Sequence, residues 1–226
     1  MKKENFTEIV QEFHKNVKQN ERFSSFDYCY NYFKTTSDLE FDIEKSCLEL
    51  GSYLASWGMY RGSTMLLQKS VKFLMPTIEY IVSLDSSFWN IDVDVYNDEN
   101  VEKILTIKNK LSEKLNLEEH QDVALTTKIM LGVFGFVPAF DSYFCNTFRK
   151  IVNGKCGFRS VNKEALKFIQ MFYENNKEII DNIDIKTFDF TTGEKTNMKY
   201  PKAKIIDMYG FQMGFKEYEI KKQKSE

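Results

Sequence analysis

The sequence predicts an all-α protein of about nine helices packed at steep angles. Apolar residues recur at intervals of three and four along almost all of the 226 residues, the spacing of helices that bury one face. Only ten glycines and three prolines are present, too few for a turn-rich all-β fold. We expect one unit over residues 1–226. A division into two helical lobes, 38–135 and 1–37 plus 136–226, with a cleft between them, is compatible with this pattern.

The first half of the chain predicts several amphipathic helices. The first covers about 5–19, and a short second one carries Phe26, Tyr30 and Phe33. The capping residues of 35–38 precede a third helix, whose apolar stripe runs to Trp57. An apolar stripe over 67–81 contains Pro76, where we expect a kink or break, because proline removes an amide donor and clashes with the preceding turn.

The second half predicts further helices and one polar segment. Residues 85–97 alternate acidic and apolar side chains and read as a packed loop, with a short strand as the alternative. Helices are expected over 98–117, 122–134 and 141–151, and then from the cap Asn162 to about Ile183. Residues 184–200 are expected to be irregular. Pro201 opens the last helix, and the charged tail from Lys216 is expected to fray.

Composition excludes several classes of protein. A hydrophobic content of 42%, 15% aromatic residues and a formal charge of −2 exclude a disordered chain, and no apolar run is long enough for a membrane span. The first sixteen residues contain no apolar signal core. The four cysteines form no C-x-x-C pair. We therefore expect a cytoplasmic protein with reduced thiols, no metal site, no cofactor and no membrane partner.

Motifs for nucleotide hydrolysis, dinucleotide binding, zinc proteolysis and serine hydrolysis are absent from the sequence. The segment 54–68 is the first candidate site, because Trp57, Tyr60 and Arg61 cluster where Gly58 and Gly62 interrupt a helix. Amides near Ser63 and Thr64, at the next helix start, are expected to suit an anion such as phosphate. Arg61 would add a fork of donors. The alternative is a tight helix corner whose glycines only permit close packing.

The second candidate is 122–149, where an apolar helix ends near Gly132 or Gly135 and Asp141 opens the next helix after Pro138. The simplest role of Asp141 is that of an N-cap. The stretches TKIMLG (127–132) and FGFVPAFDSYF (134–144) also resemble a segment of the helix-hairpin-helix DNA glycosylase superfamily, with its endonuclease III-like fold. The segment 201–214 resembles the closing helix of some members. The resemblance implies that Asp141 is the catalytic carboxylate.

The resemblance implies a DNA partner and a reaction at a flipped base. Aromatic side chains would stack on the base, and cationic side chains would contact phosphates. The candidates for stacking on the base are Trp57, Tyr60 and Phe140. The candidates for contacting phosphates are Arg61, Lys128 and Arg149. Lys128 follows Thr127, whereas the lysine of the superfamily motif precedes its threonine. We therefore do not assign to Lys128 the role of a nucleophile that forms a Schiff base. The expected enzyme is a monofunctional N-glycosylase.

The sequence also departs from the superfamily. Acidic residues at 118–122 replace its glycine-rich hairpin, and no cysteine cluster for an iron–sulfur centre exists. The alternative is therefore a binding or regulatory protein on the same helical scaffold, in a partner complex or a phage-defence system. A different small-molecule enzyme is a further alternative. Catalysis predicts an open cleft and a basic rim at Asp141. The non-catalytic alternative predicts a buried cap and an exposed apolar patch at Phe88 and Trp89.

Overall fold

The computed structural model describes residues 5–36, 41–62, 64–117 and 123–224. It confirms the all-α fold, with 67% of the residues in helices, 4% in strands and ten α-helices in the described residues. The helices are α1 (Phe6–His14), α2 (Ser25–Thr35), α3 (Ile43–Ser56), α4 (Met75–Val82), α5 (Asp98–Lys114), α6 (Val123–Phe134), α7 (Ser142–Ile151), α8 (Lys163–Asn175), α9 (Lys177–Asp181) and α10 (Lys202–Gln223). The division into two lobes stays a prediction.

Five of the described helices, α1, α3, α5, α7 and α8, begin after a side-chain cap. Asp42 accepts a hydrogen bond from the Lys45 amide at 2.8 Å and begins α3. The sequence predicts caps for α3 at 35–38, and residues 37 and 38 lie outside the described residues. Ser63, at the predicted start of the next helix, also lies outside them. Helix α1 is shorter than predicted, since the chain leaves the helix after His14 and turns over residues 15–20.

The stripe at 67–81 forms three short elements instead of one kinked helix. Two 3₁₀ turns, Met65–Gln68 and Val71–Leu74, precede α4. Of the kink or break expected at Pro76, the structure has the break: a 3₁₀ turn ends at Leu74 and α4 begins at Met75, so Pro76 lies in the first turn of α4. A proline is accommodated there, since the amide that it lacks would have no partner within the helix. Two more 3₁₀ turns, Ser86–Asn90 and Val93–Val95, form the predicted packed loop.

Two expectations for the C-terminal part are wrong. Residues 184–200 contain an antiparallel hairpin of β1 (Lys186–Phe188) and β2 (Lys195–Lys199). Asp27 of α2 holds this hairpin through a hydrogen bond that the Phe188 amide donates at 2.9 Å. The tail from Lys216 continues α10 as far as Gln223, and an ion pair between Lys216 and Glu12 at 3.0 Å ties it to α1.

Three helices position the candidate site. Helix α6 is buried on every side from Leu125 to Phe134, whereas α7 is amphipathic and covers the adjacent core. Helix α10 packs along α7 and α1, and α2 packs on α3 and α6. The connection from 135 to 140 is buried throughout, so the backbone that leads to α7 lies in the core.

Candidate functional site

The backbone before Asp141 is fixed by buried hydrogen bonds from two helices. Thr127 of α6 accepts from the Phe140 amide at 2.8 Å, and Asp207 of α10 accepts from the Ala139 amide at 3.0 Å. Gly135 has a φ of +74°, and a side chain at this position would lie 2.7 Å from Pro201. These contacts satisfy the polar groups of a buried connection, as burial requires. They therefore set the position of Asp141.

Asp141 has the N-cap geometry that the sequence predicts. One carboxylate oxygen, Oδ1, accepts a hydrogen bond from the Phe144 amide at 3.0 Å. The other oxygen, Oδ2, lies 3.6 Å from Nζ of Lys128. The Asp141 side chain is 17% exposed, and the Lys128 side chain is 4% exposed. The carboxyl group is thus a cap, an ion-pair partner and partly accessible at the same time.

Burial and pairing act on these two groups in opposite directions. Burial raises the pKa of Asp141, and the nearby charge of Lys128 and the Phe144 amide partly offset this rise. Burial likewise lowers the pKa of Lys128, and the charges of Asp141 and Asp207 work against the decrease. Each charge therefore favours the ionised form of the other.

Asp141 opens onto a pocket of about 370 Å³, a volume within the range of small-molecule sites. Its wall combines cationic and aromatic side chains with this single carboxylate. It is lined by Arg22, Trp57, Met59, Arg61, Ala124, Lys128, Asp141, Ser142, Tyr143, Phe211 and Phe215. Within the described ranges, neither Arg22 nor Arg61 forms an ion pair with a carboxylate. Both arginines are exposed residues.

Trp57 forms the inner wall beside the ion pair. Its ring centroid lies 5.0 Å from Nζ of Lys128 and 5.0 Å from Nζ of Lys204. Its indole Nε1 is buried and has no hydrogen-bond partner among the described residues. Gly58, with a φ of +77°, comes next, and a side chain there would lie 2.5 Å from Nε of Arg61. The glycine therefore allows the Arg61 side chain to lie across the turn after α3.

The structure brings together Asp141, Trp57, Arg61 and Lys128 of the predicted site residues. Phe140 is 2% exposed and stacks on Phe144 with ring centroids 5.5 Å apart, so it lies in the core and not on the pocket. Tyr60 is half-buried and does not line this pocket, and Arg149 lines a neighbouring one.

The helix start expected near Ser63 and Thr64 is a 3₁₀ turn and not an α-helix; Ser63 lies outside the described residues, and the anion site there stays a prediction. The element that follows Thr64 is a four-residue 3₁₀ turn, Met65–Gln68, and the Thr64 amide donates to the Arg61 carbonyl at 3.2 Å. The Thr64 hydroxyl donates to the Met59 carbonyl at 2.8 Å. Because these groups hold the turn itself, they are not available to a ligand.

Sequence reasoning missed seven of the eleven residues that line the pocket, and four of the seven are cationic or aromatic. Arg22 comes from a 3₁₀ turn before α2, and Tyr143, Phe211 and Phe215 come from α7 and α10. The spacing of Phe211 and Phe215 places both on one face of a helix, which is a detectable signal. No local pattern places Arg22 at the site, because its contact with the pocket is long-range.

Other expectations from the sequence have mixed outcomes. The exposed apolar patch expected at Phe88 and Trp89 is wrong for Trp89, which is 8% exposed and donates to the Val133 carbonyl at 3.0 Å. The charged surroundings of His14 and His120 predict solvated side chains, but Nδ1 of His14 is buried without a partner among the described residues, and burial lowers the pKa of His14. His120 lies outside the described residues.

The cysteines and acidic residues of the described ranges form no metal-binding cluster. All four cysteines are free thiols; three are buried and Cys145 is half-buried. Across the described ranges, no three histidine, cysteine, aspartate or glutamate side chains lie together in a geometry that could hold a metal ion. Nor does any helix in these ranges combine the length and the apolar composition that crossing a bilayer needs.

Three comparisons with known proteins found no match. No protein-family model, curated protein or solved structure matches this chain.

Proposed function

We propose that this protein hydrolyses the N-glycosidic bond of a nucleotide in DNA, in the pocket in front of Asp141. The resemblance of 127–144 to the helix-hairpin-helix glycosylases suggests the reaction. The observation that supports it most is the position of the Asp141 carboxylate, which opens onto a pocket of about 370 Å³ with aromatic and cationic walls. A flipped nucleotide needs these three features, namely a surface for its base, donors for its phosphate and a group beside its sugar.

The walls of the pocket divide these roles. Trp57, Tyr143 and Phe215 present aromatic rings on which a base can stack. Arg22 and Arg61 present guanidinium groups, whose paired donors match a phosphate. Lys128 is too deeply buried to follow a DNA backbone, so we assign it to the Asp141 carboxylate, which it helps to keep ionised.

The reaction needs only water as a second reactant. The bond between C1′ of the sugar and the base nitrogen breaks, and its electron pair leaves with the base. The ionised Asp141 stabilises the positive charge that develops on the sugar. A water oxygen forms the new bond to C1′, and the proton that it loses is taken up by the departing base. The products are the free base and an abasic sugar with a hydroxyl group at C1′.

A binding protein without catalysis is the second candidate, and one observation favours it. Both oxygens of the Asp141 carboxylate already have partners, the Phe144 amide and the Lys128 ammonium. A carboxylate whose only task is to cap α7 and to neutralise a buried lysine would have the same contacts. In that case the pocket would bind its ligand and release it unchanged.

An assay of base release separates the two candidates. We would incubate the protein with oligonucleotides that carry uracil, alkylated purines or oxidised guanine and then cleave alkali-labile sites. Asp141→Asn keeps a good N-cap residue and removes the charge that faces the buried Lys128, so thermal melting must verify that this variant is folded. Asp42→Asn is the matched control, because Asp42 caps α3 with the same geometry at an exposed position. The proposal predicts cleavage by the wild type and by Asp42→Asn only. No cleavage with any lesion, or equal cleavage by Asp141→Asn, removes it.

A further inference from the structure

A second pocket adjoins the Asp141 pocket along α7 and α10. Its volume is about 340 Å³, and it shares Ser142 and Tyr143 with the first pocket. The remaining residues of its wall come from the outer faces of α7 and α10, among them Asn146 and Tyr218. The two pockets therefore adjoin at Ser142 and Tyr143, and we refer to them together as the groove, with Tyr143 at the boundary between its halves.

Positive charge is concentrated in this groove, although the whole chain has a formal charge of −2. Six cationic and two acidic side chains line the two pockets, a balance of four positive charges. The cationic residues are Arg22, Arg61, Lys128, Arg149, Lys150 and Lys221. The chain has only four arginines, and three of them lie here. Arginine suits phosphate because its planar fork donates two parallel hydrogen bonds.

The second pocket keeps two of its cations unpaired. Lys150 forms an ion pair with Glu217, which neutralises that part of the wall. Within the described ranges, Arg149 and Lys221 form no ion pair, and both side chains are exposed. The Arg149 guanidinium donates only a long hydrogen bond of 3.4 Å, to the Gly157 carbonyl. Both cations are therefore free to meet an anionic ligand.

Exposed aromatic rings line the same two pockets as the cations, Tyr218 in the second pocket and Phe215 in the first. Tyr218 is 51% exposed and Phe215 is 38% exposed, although both are large side chains. Their ring centroids lie 5.9 Å and 5.8 Å from that of Tyr143. Each half of the groove thus has an accessible ring next to its positive charges, with the Tyr143 ring between them.

Close packing makes the floor of the groove rigid. A side chain on Gly214 would lie 2.4 Å from the Tyr143 carbonyl, and one on Gly210 would lie 2.5 Å from Phe144. The Thr147 hydroxyl of α7 donates to the Gly210 carbonyl at 2.8 Å. The two glycines let the helices touch, so the groove exists before a ligand binds.

From this arrangement we infer that the groove binds single-stranded DNA, with one nucleotide in the Asp141 pocket and the adjoining nucleotides along α7 and α10. The inference rests on the proposed function for the choice of DNA. Single strands bind where cations that follow the backbone alternate with aromatic rings that stack on bases. A duplex turns its bases inward and cannot offer them to Tyr143 and Tyr218. The occupant that fits both kinds of side chain is therefore an unpaired strand.

Fluorescence anisotropy with labelled oligonucleotides tests the inference without measuring catalysis. The probes are a 12-nucleotide single strand of DNA, its duplex and the RNA of the same sequence. We expect the single-stranded DNA to bind at least about tenfold more tightly than either. We also expect its affinity to fall with salt with a logarithmic slope steeper than about −1.4, which corresponds to about two neutralised phosphates. Equal or tighter binding of the duplex or of the RNA would overturn the inference.

Variants locate the binding on the groove. Arg149→Ala and Lys221→Ala should each weaken binding at least about fivefold and flatten the salt slope by about 0.7. Tyr218→Ala should weaken it about tenfold through lost stacking. Arg159→Ala is the matched control, since it removes the one arginine outside the groove. Circular dichroism and thermal melting verify that each variant is folded. If Arg149→Ala and Lys221→Ala bind like the control, the groove is not the site.

The binding measurement and the base-release assay test different claims, and each can fail while the other succeeds. Asp141→Asn should bind the single strand as the wild type does, because the phosphate and stacking contacts lie elsewhere. Binding without base release would remove the proposed hydrolysis and leave the groove. Base release that does not depend on the cations of the second pocket would remove the groove and leave the hydrolysis.

Discussion

The Nζ atom of Lys128 lies 3.6 Å from Oδ2 of Asp141, with Lys128 in the middle of α6 and Asp141 at the start of α7. A second buried pair lies on α10, where Nζ of Lys204 is 2.8 Å from Oδ2 of Asp207. Both ammonium groups face the Trp57 ring. Four charged groups and the Trp57 indole therefore connect the pocket with the core.

Removal of the Lys128 charge should raise the pKa of Asp141. Burial already raises it, and the Lys128 charge is the largest effect in the opposite direction. In Lys128→Met, Asp141 should therefore hold its proton to a higher pH, and the acidic limb of the pH–rate profile should move upward. Lys103→Met, at a surface pair with Glu99, is the control. An unchanged acidic limb would show that Asp141 does not limit the rate at low pH.

Removal of the Asp207 charge should destabilise the fold strongly. Asp207→Asn leaves an acceptor for the Ala139 amide but strands the Lys204 ammonium, whose side chain is 2% exposed. A buried pair broken on one side costs about 3–5 kcal/mol. Asp181→Asn, which breaks the surface pair of Asp181 with Lys177, should cost less than about 1 kcal/mol. Urea unfolding of both variants measures the difference, and equal losses would contradict the role given to the buried pair.

A side chain at Gly214 should push α10 away from α7. The new Cβ of Gly214→Ala would lie 2.4 Å from a backbone oxygen, which cannot move aside as a side chain can. We expect a loss of about 1–3 kcal/mol, typical of overpacking. Gly157→Ala is the control, because its nearest neighbour would be the Arg159 side chain at 3.5 Å. Thermal melting measures both, and a Gly214→Ala variant as stable as the wild type would show that the helices can separate without cost.

Stability should fall as the pH rises from about 4 to about 6, in part through Asp27. Burial raises the pKa of Asp27 to about 6, whereas an unfolded aspartate has a pKa near 4. The folded state therefore binds the proton more strongly in this window, and its advantage disappears above pH 6. Asp27→Asn removes this titration, so its unfolding free energy should change less across the window. The effect is at most on the order of 3 kcal/mol. Parallel curves for the two proteins would contradict the prediction.

Local patterns predicted most of the helices because most of them carry their own apolar stripe and five begin after a side-chain cap. Asp141, Asn162 and Asn97 each accept a hydrogen bond from an amide three residues ahead, as local cap rules require. The hairpin at 186–199 escaped prediction because its strands are polar and draw their support from α2. The Asp27 side chain supplies that support across 161 residues of sequence.

The candidate site was predicted in part for the same reason. Trp57 and Arg61 lie four residues apart, and Lys128 and Asp141 lie in one short segment. Local spacing was therefore enough to predict each pair as candidate site residues. Their meeting in one pocket, and the addition of Arg22 and Phe215, depend on how α3, α6 and α10 pack. Phe140 was a candidate for stacking on the base. Its backbone turns inward instead, and its ring stacks on Phe144 in the core.

Single-turnover release of free base is the most direct test of the central proposal, that the Asp141 carboxylate acts on a nucleotide in its pocket. The wild type and Asp141→Asn would each be mixed in excess with the lesion-bearing strand that the wild type cleaves fastest. We predict that Asp141→Asn releases the base at least about 100-fold more slowly while it binds the strand with unchanged affinity. Equal rates of release, or a loss of rate that follows a loss of binding, would contradict the proposal.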